Sequence, residues 1–345
     1  MRFDDLHVAA AASRLPERMT LDEADRAGLC DARALWRTDI AAVRVSRTEP
    51  APDMAAQAAR AAVRRAGCRP DEIDLLLHAS TYYQGHDMWP AASYVQRVAV
   101  GNRCPAIEIG QMSNGGMAAM DLAANHLMAD PARSHVLVTT GDRFCPPGYD
   151  RWRSDPGTVC GDGGAAAVLS RRPGFARVRS LVTVSDPELE RMSRGDDPSG
   201  DAPFGVRRTV DLEAGRKALV AEVGLDEVLG RIDAGQRETF ERALAEAGAE
   251  LADIDWFVLP SLGLGRLRAH FLDPFGIDPE RTTWSLGREI GHLGAGDQIA
   301  LLGLLADSGA LRPGQRCLVA GVGQGFSWSA AVLDMLRAPA AGREV

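Results

Sequence analysis

The apolar positions of this chain change period from segment to segment, and the changes mark out its elements. Residues 52–66 open with Pro52 and Asp53, run on alanines and stop at Gly67, which predicts a helix. Ile73 to Ser80 is a short apolar run of the kind a buried strand needs. Residues 106–109 predict another strand, entering the glycine-rich loop 110–116. Residues 117–129 put small or apolar side chains on nearly every face, so the helix they predict is buried, and Asp130-Pro131 ends it. Val136 to Thr140 returns as a strand.

The same succession recurs 181 residues later. Ala66-Gly67, Ile73-Asp74 and Ser80 have counterparts at Ala247-Gly248, Ile254-Asp255 and Ser261. The offset of 181 still holds at Gly110 and Gly291, and at Leu137-Val138 and Leu318-Val319. The second copy reads as helix 236–247, strand 254–259, a strand near 282–285, loop 291–297, buried helix 298–306 and strand 317–320. So long a period excludes a solenoid. It predicts an α/β protein of two halves, 1–170 and 171–345, facing each other so that matching loops meet near the centre. Residues 185–216 carry no period and read as an irregular surface excursion or lid, with Arg191, Arg194, Arg207 and Arg208 on a solvated face.

Charge and composition mostly exclude. A net charge of −8 favours no nucleic-acid partner, and of 39 basic residues only Lys217 is a lysine. Six cysteines without C-x-x-C spacing argue for reduced thiols in a cytoplasm and against zinc ribbons. No signal pattern and no apolar stretch of spanning length is present, so a cytoplasmic protein with no membrane partner is expected. The histidines lack metal-ligand spacing, and no metal is expected.

Ser113 sits where a strand runs through a glycine-rich turn into the buried helix. It reads either as a helix N-cap or as a nucleophile whose oxyanion the helix N-terminus would stabilise. Its counterpart at offset 181 is Gly294, so facing halves would bring His292 toward it. Serine needs an adjacent base, and a histidine held by a carboxylate is the usual solution. Asp297 is either that carboxylate or an acidic residue complementing its own helix dipole, and His292 is either catalytic or structural. The glycine-rich stretches at 160–165 and 321–326 fit no dinucleotide fingerprint and read as close approaches of backbone, with Cys160 a small packing residue.

Cys104-Pro105-Ala106, the loop at Ser113, the stretch from Cys160 to Leu169 and Gly321 to Ser329 together resemble the ketoacyl-acyl-carrier-protein synthase III branch of the thiolase fold, over essentially the whole chain. The resemblance implies a five-layered αβαβα fold of two pseudo-duplicated halves and a homodimer. The family's nucleophilic cysteine falls on Ser113, its first catalytic histidine on Ser261 and its catalytic asparagine on His292. Those departures argue against decarboxylative condensation and leave acyl transfer through an acyl-serine open. Residues 82–90 and 291–297 are similar to a subgroup acting in aromatic polyketide pathways, among them the serine-using starter-unit enzymes of daunorubicin-type anthracycline synthesis.

That subgroup implies a triad of Ser113, His292 and Asp297, and an oxyanion hole from the backbone N–H groups of Ser113 and Gly325. Trp89 would line the partner subunit's acyl pocket or serve as a plain interface residue. Arg266 and Arg268, near the expected tunnel mouth, would pair with an acidic acyl carrier protein. The implied reaction moves a short acyl group, propionyl, from acyl-CoA to a carrier protein, with no cofactor beyond the acyl-CoA substrate. The alternatives are a condensing synthase, an ester-forming acyltransferase and a non-catalytic synthase partner.

Overall fold

The computed structural model describes residues 1–338, so the last seven residues of the 171–345 half lie outside the described residues. Among the described residues nine strands form the main sheet: β1 (His7–Arg14), β2 (Ile73–Ala79), β3 (Ala106–Ile109), β4 (His135–Asp142), β5 (Gly163–Ser170), β6 (Ala176–Ser185), β7 (Trp256–Val258), β8 (Arg316–Gly323) and β9 (Ser327–Met335). Their order is β3-β2-β4-β5-β1-β6-β9-β8-β7. The sequence repeat explains it. β3-β2-β4-β5-β1 is one half-sheet, and β6-β9-β8-β7 is the second, with β4 and β8 lying 181 residues apart at both ends. Within the sheet the two half-sheets are joined where His7 and Val8 of β1 pair with Arg177 and Ala176 of β6.

Helices complete the layers. α1 (Ala51–Ala66) covers the outer face of the first half-sheet, ending at Gly67 in the left-handed region (φ 67°), where glycine carries no steric cost. α2 (Gly115–Ala129) and α5 (Asp297–Asp307) lie between the half-sheets and touch strands of both. α4 (Leu225–Ala247), preceded by α3 (Leu212–Val223), covers the second half on β6 and β9. Helix, sheet, paired helices, sheet, helix: this is the five-layered thiolase fold. The central layer holds the largest apolar cluster, including Met117, Met120, Leu127, Ile299 and Leu302. α5 is buried at every position through Ala306 except the partly buried Leu304, whereas α2 leaves Leu122 49% exposed.

Three expectations need correction. The strand near 282–285 does not form. Thr282 makes one parallel bridge to Phe257, and its Oγ1 then accepts the N–H of Trp284, starting a helical turn over Trp284–Gly287. The helix expected at 236–247 starts eleven residues earlier, at Leu225. The 185–216 segment is not a mere excursion: Met192, Val210, Leu212 and Arg216 line the central cavity. Its arginines are largely neutralised, Arg191 by Asp196 and Glu222, Arg194 by Glu190 and Arg207 by Asp197.

Candidate active site

Two helix N-termini meet at the centre because the residues where they touch, Gly115, Gly116 and Ala295, are small. A Cβ added at Gly116 would lie 2.5 Å from the Ala295 carbonyl oxygen, and one at Gly296 would lie 2.7 Å from Thr140 Oγ1. Gly115 and Gly116 thus let α2 abut Ala295 just ahead of α5, while Gly294 and Gly296 let that turn pack on Asp142 and Thr140. Before α2, Met112 adopts φ 48°, a conformation costly for any residue but glycine. It turns the chain sharply into the short turn Met112–Asn114 and places Ser113 on the cavity wall.

Ser113 caps nothing. Its Oγ lies 2.7 Å from His292 Nε2, and His292 Nδ1 lies 2.6 Å from Asp297 Oδ2. The loop carrying His292 is itself pinned: its amide donates to Val159 O, and Gly161 N–H donates to its carbonyl. Asp297 opens α5, yet its carboxylate faces backward onto this loop. Oδ2 also accepts the Ser261 N–H at 2.7 Å and Oδ1 the Leu293 N–H at 2.7 Å. Asp297 is fully buried and His292 is 5% exposed. Burial alone would lower the His292 pKa; the charge and hydrogen bond of Asp297 outweigh it, so the imidazole sits above its ordinary 6.5. A second carboxylate, Asp142, ties the halves together by accepting from Thr81, Tyr82 and Ala295 amides, and burial pushes it up to about 7.

Ser261 occupies a supporting place. Its backbone holds Asp297, while its buried Oγ finds no partner among the described residues and does not line the cavity. The other glycine-rich stretches do permit close approach. A Cβ at Gly323 would lie 2.7 Å from Asn114 N, which sets the β8–β9 turn beside the Ser113 loop. Gly325 lies in that turn between Gln324 and Phe326, both on the cavity wall. Cys160 neighbours His292 across a backbone bridge, but burial raises its thiol pKa strongly and Tyr149 OH sits 3.3 Å away, so it is an inert packing group.

The cavity in front of Ser113 and His292 encloses about 350 Å³ and is chiefly apolar, with an aromatic end at Tyr82, Phe144 and Tyr149. Leu225, Val228, Leu229 and Ile232 of α4 form its far wall. Their spacing is the i, i+3, i+4, i+7 signature of a helix face, a signal in the sequence that would have extended the 236–247 helix toward its N-terminus. Gly230, Asp233 and Gly235 dilute the pattern on either side of it.

Two further expected site residues lie off the triad. Trp89 does not line its own chain's cavity; it packs on His86 and Tyr94 at ring-centroid distances of 5.1 and 5.4 Å. Arg266 does not point to solvent. It clamps Asp155 through two bonds of 2.8 Å, with Thr158 Oγ1 and Pro156 O as further acceptors, and Arg216 binds the same carboxylate. Burial would raise the Asp155 pKa, but the two guanidiniums hold it below the usual range. A carrier-docking role for Arg266 is therefore corrected: its donors are already spent inside the wall. Arg268 alone of the pair is exposed. Replacing Arg266 by alanine should destabilise the fold by about 2 kcal/mol in urea titration, less than a fully stranded buried charge would cost because Arg216 remains.

Comparisons with known proteins agree with this architecture. Residues 34–141 match the N-terminal domain of thiolase, and residues 244–335 match the C-terminal domain of 3-oxoacyl-acyl-carrier-protein synthase III. Beta-ketoacyl-acyl-carrier-protein synthase III 3 of Streptomyces coelicolor is 28% identical over 288 residues, covering 81% of this chain and 82% of that protein. The corresponding synthase III of Salmonella paratyphi A is 26% identical over 338 residues, covering 94% and 98%. Among solved structures, synthase III of Xanthomonas oryzae shares the fold at TM-score 0.76 and 24% identity, over 97% of this chain and 100% of that one. ChlB3, an acyltransferase, superimposes at TM-score 0.92 with 35% identity over 97% of this chain and 99% of its own. At that identity over the full length of both chains, this protein belongs to the ketoacyl-acyl-carrier-protein synthase III-like family of thiolase-fold transferases.

Proposed function

We propose that this protein is an acyltransferase that loads a short starter acyl group, propionyl in the first instance, from acyl-CoA onto an acyl carrier protein in aromatic polyketide synthesis. The carrying observation is the unbroken chain from Ser113 Oγ through His292 to Asp297 at the wall of an apolar cavity. Ser113 Oγ attacks the thioester carbonyl while His292 Nε2 takes its proton. The new carbon–oxygen bond forms as the carbon–sulfur bond breaks, and CoA leaves as a thiol carrying the proton from His292. The carrier's phosphopantetheine thiol then attacks the serine ester, and the proton returns to Ser113 through the same imidazole. Ser113 precedes the N-terminus of a fifteen-residue helix, whose dipole favours the oxyanion, with the Ser113 and Gly325 amides as its donors.

The ChlB3 likeness supports transfer, since that protein is itself named an acyltransferase. Ser261 weighs against condensation: where the synthases use a histidine, its side chain is short of the cavity. Incubating the acylated protein with malonyl-carrier protein separates the two, because condensation adds two carbons to the product mass. Intact-protein mass spectrometry after mixing with propionyl-CoA is the primary test, and absence of an adduct under every acyl-CoA tried would leave only the non-catalytic partner reading.

A homodimer belongs to this reading. β3 is an edge strand whose Ile107 is 48% exposed, and Met88 beside Trp89 is fully exposed at φ 49°. Unpaired apolar edges invite a second copy of the same strand. On that arrangement Trp89 would approach the partner's acyl pocket, and the exposed Arg268 would face the acidic carrier. Light scattering should give twice the chain mass for the native protein and a shift toward monomer for Ile107→Lys.

A further inference from the structure

One wall of the cavity carries two polar side chains with nothing to bind. Gln236, on α4, is 2% exposed, and its Nε2 has no partner among the described residues. His270, in the helical turn Arg268–Leu272, is half-buried, and its Nδ1 is likewise unpartnered. Both line the cavity that holds Ser113. α4 comes close enough because residue 235 is glycine: a side chain there would run into the Trp328 ring. Around the two polar groups the wall is apolar, with Ile232, Phe271 and Trp328.

A buried donor without an acceptor bears its full desolvation cost, and native interiors rarely leave one so. Here both residues border the cavity that a substrate would enter. Burial lowers the His270 pKa, with Asp233 opposing and Arg266 assisting, so the ring is neutral near pH 7. Arg266 itself is committed to Asp155. The wall therefore offers one amide donor and one neutral imidazole, which suit an uncharged oxygen better than an anion.

We infer that Gln236 and His270 form a polar subsite, separate from the Ser113–His292 pair, that hydrogen-bonds an uncharged oxygen of the thioester substrate. The inference rests on the acyltransferase reading. That oxygen has two sources: an amide carbonyl of the pantetheine arm, or a hydroxyl or keto group on the acyl chain. The first leaves propionyl a fitting acyl group. The second makes an oxygen-bearing acyl group the better one.

Equilibrium binding to the Ser113→Ala protein, which binds without turnover, tests this with three probes: propionyl-CoA and two truncated thioesters that carry no amide, S-ethyl propanethioate and S-ethyl 3-hydroxypropanethioate. Gln236→Met and His270→Phe are each introduced into that background, so that one reports if the other does not fold. If the subsite holds the arm, each substitution weakens propionyl-CoA about fivefold and spares the truncated propionyl thioester. If it holds an acyl oxygen, the loss of about fivefold falls on the hydroxypropionyl thioester alone. In either case the double variant should lose less than the product of the single losses, because both groups share one oxygen. Equal changes for all three probes, or none, overturn the subsite while leaving the acyltransferase intact. Failure of every thioester to bind overturns both.

Discussion

Ser113→Ala should abolish the acyl adduct and lower turnover by about a million-fold, the scale on which a triad loses its nucleophile. The substitution removes one oxygen whose only hydrogen bond among the described residues runs to His292, so folding should barely change. That separates it from a helix cap, whose loss would cost about 1 kcal/mol of stability and leave chemistry alone. Mass spectrometry after propionyl-CoA, paired with thermal unfolding, reads both quantities. A persisting adduct would move the nucleophile elsewhere, and Cys160 is a poor substitute given its buried, protonated thiol. Ser113→Cys is the informative companion. Beside an imidazole and a helix N-terminus the thiol should ionise readily and take the acyl group as a thioester. Recovery of the adduct there would show that the place, rather than the residue type, makes the nucleophile.

That place was legible in the sequence for a physical reason. Helices that cross end to end need glycine at the crossing, and the 181-residue offset put Ser113 opposite Gly294 before any coordinate was known. The same offset aligned β4 with β8, because strands paired on both sides tolerate no insertion. The misreadings have causes too. Thr282 and Thr283 have the β-branching of a strand, but the Thr282 hydroxyl bonds locally to Pro279 O and the Trp284 N–H and starts a helical turn, while Thr283 Oγ1 accepts the distant Leu259 N–H. In the sequence Arg266 reads as a surface arginine because its partner, Asp155, lies 111 residues away and nothing local announces the pair. The orienting amide of Ser261 was invisible for the same reason, since a backbone donor leaves no mark on residue type.

Asp297→Asn should cost about ten-thousand-fold in turnover, and it should move the pH dependence in a direction fixed by sign. Three donors converge on this carboxylate: His292 Nδ1, Ser261 N–H and Leu293 N–H. A carboxamide has one oxygen, so its NH₂ must face at least one of them. If it faces His292, the ring flips tautomer, Nε2 carries the proton, and the base toward Ser113 is gone. In the native protein, His292 must be neutral to accept the serine proton. Acylation should therefore rise with pH through a midpoint above 6.5, burial lowering that midpoint and Asp297 overriding it, with Asp155 and Asp142 adding smaller upward pulls. Without the Asp297 charge, burial dominates and the midpoint should fall below 6.5, leaving the residual rate flat near neutrality. Stability runs the other way. A histidine whose pKa is raised on folding contributes stability in full below its unfolded value and loses it as pH climbs through the folded one. The native enzyme should thus gain activity over the same interval in which it loses this part of its stability, and Asp297→Asn should uncouple the two. Rate and unfolding midpoint measured from pH 5 to 9 on both proteins check it. A native rate that falls as pH climbs would remove His292 from the role of base.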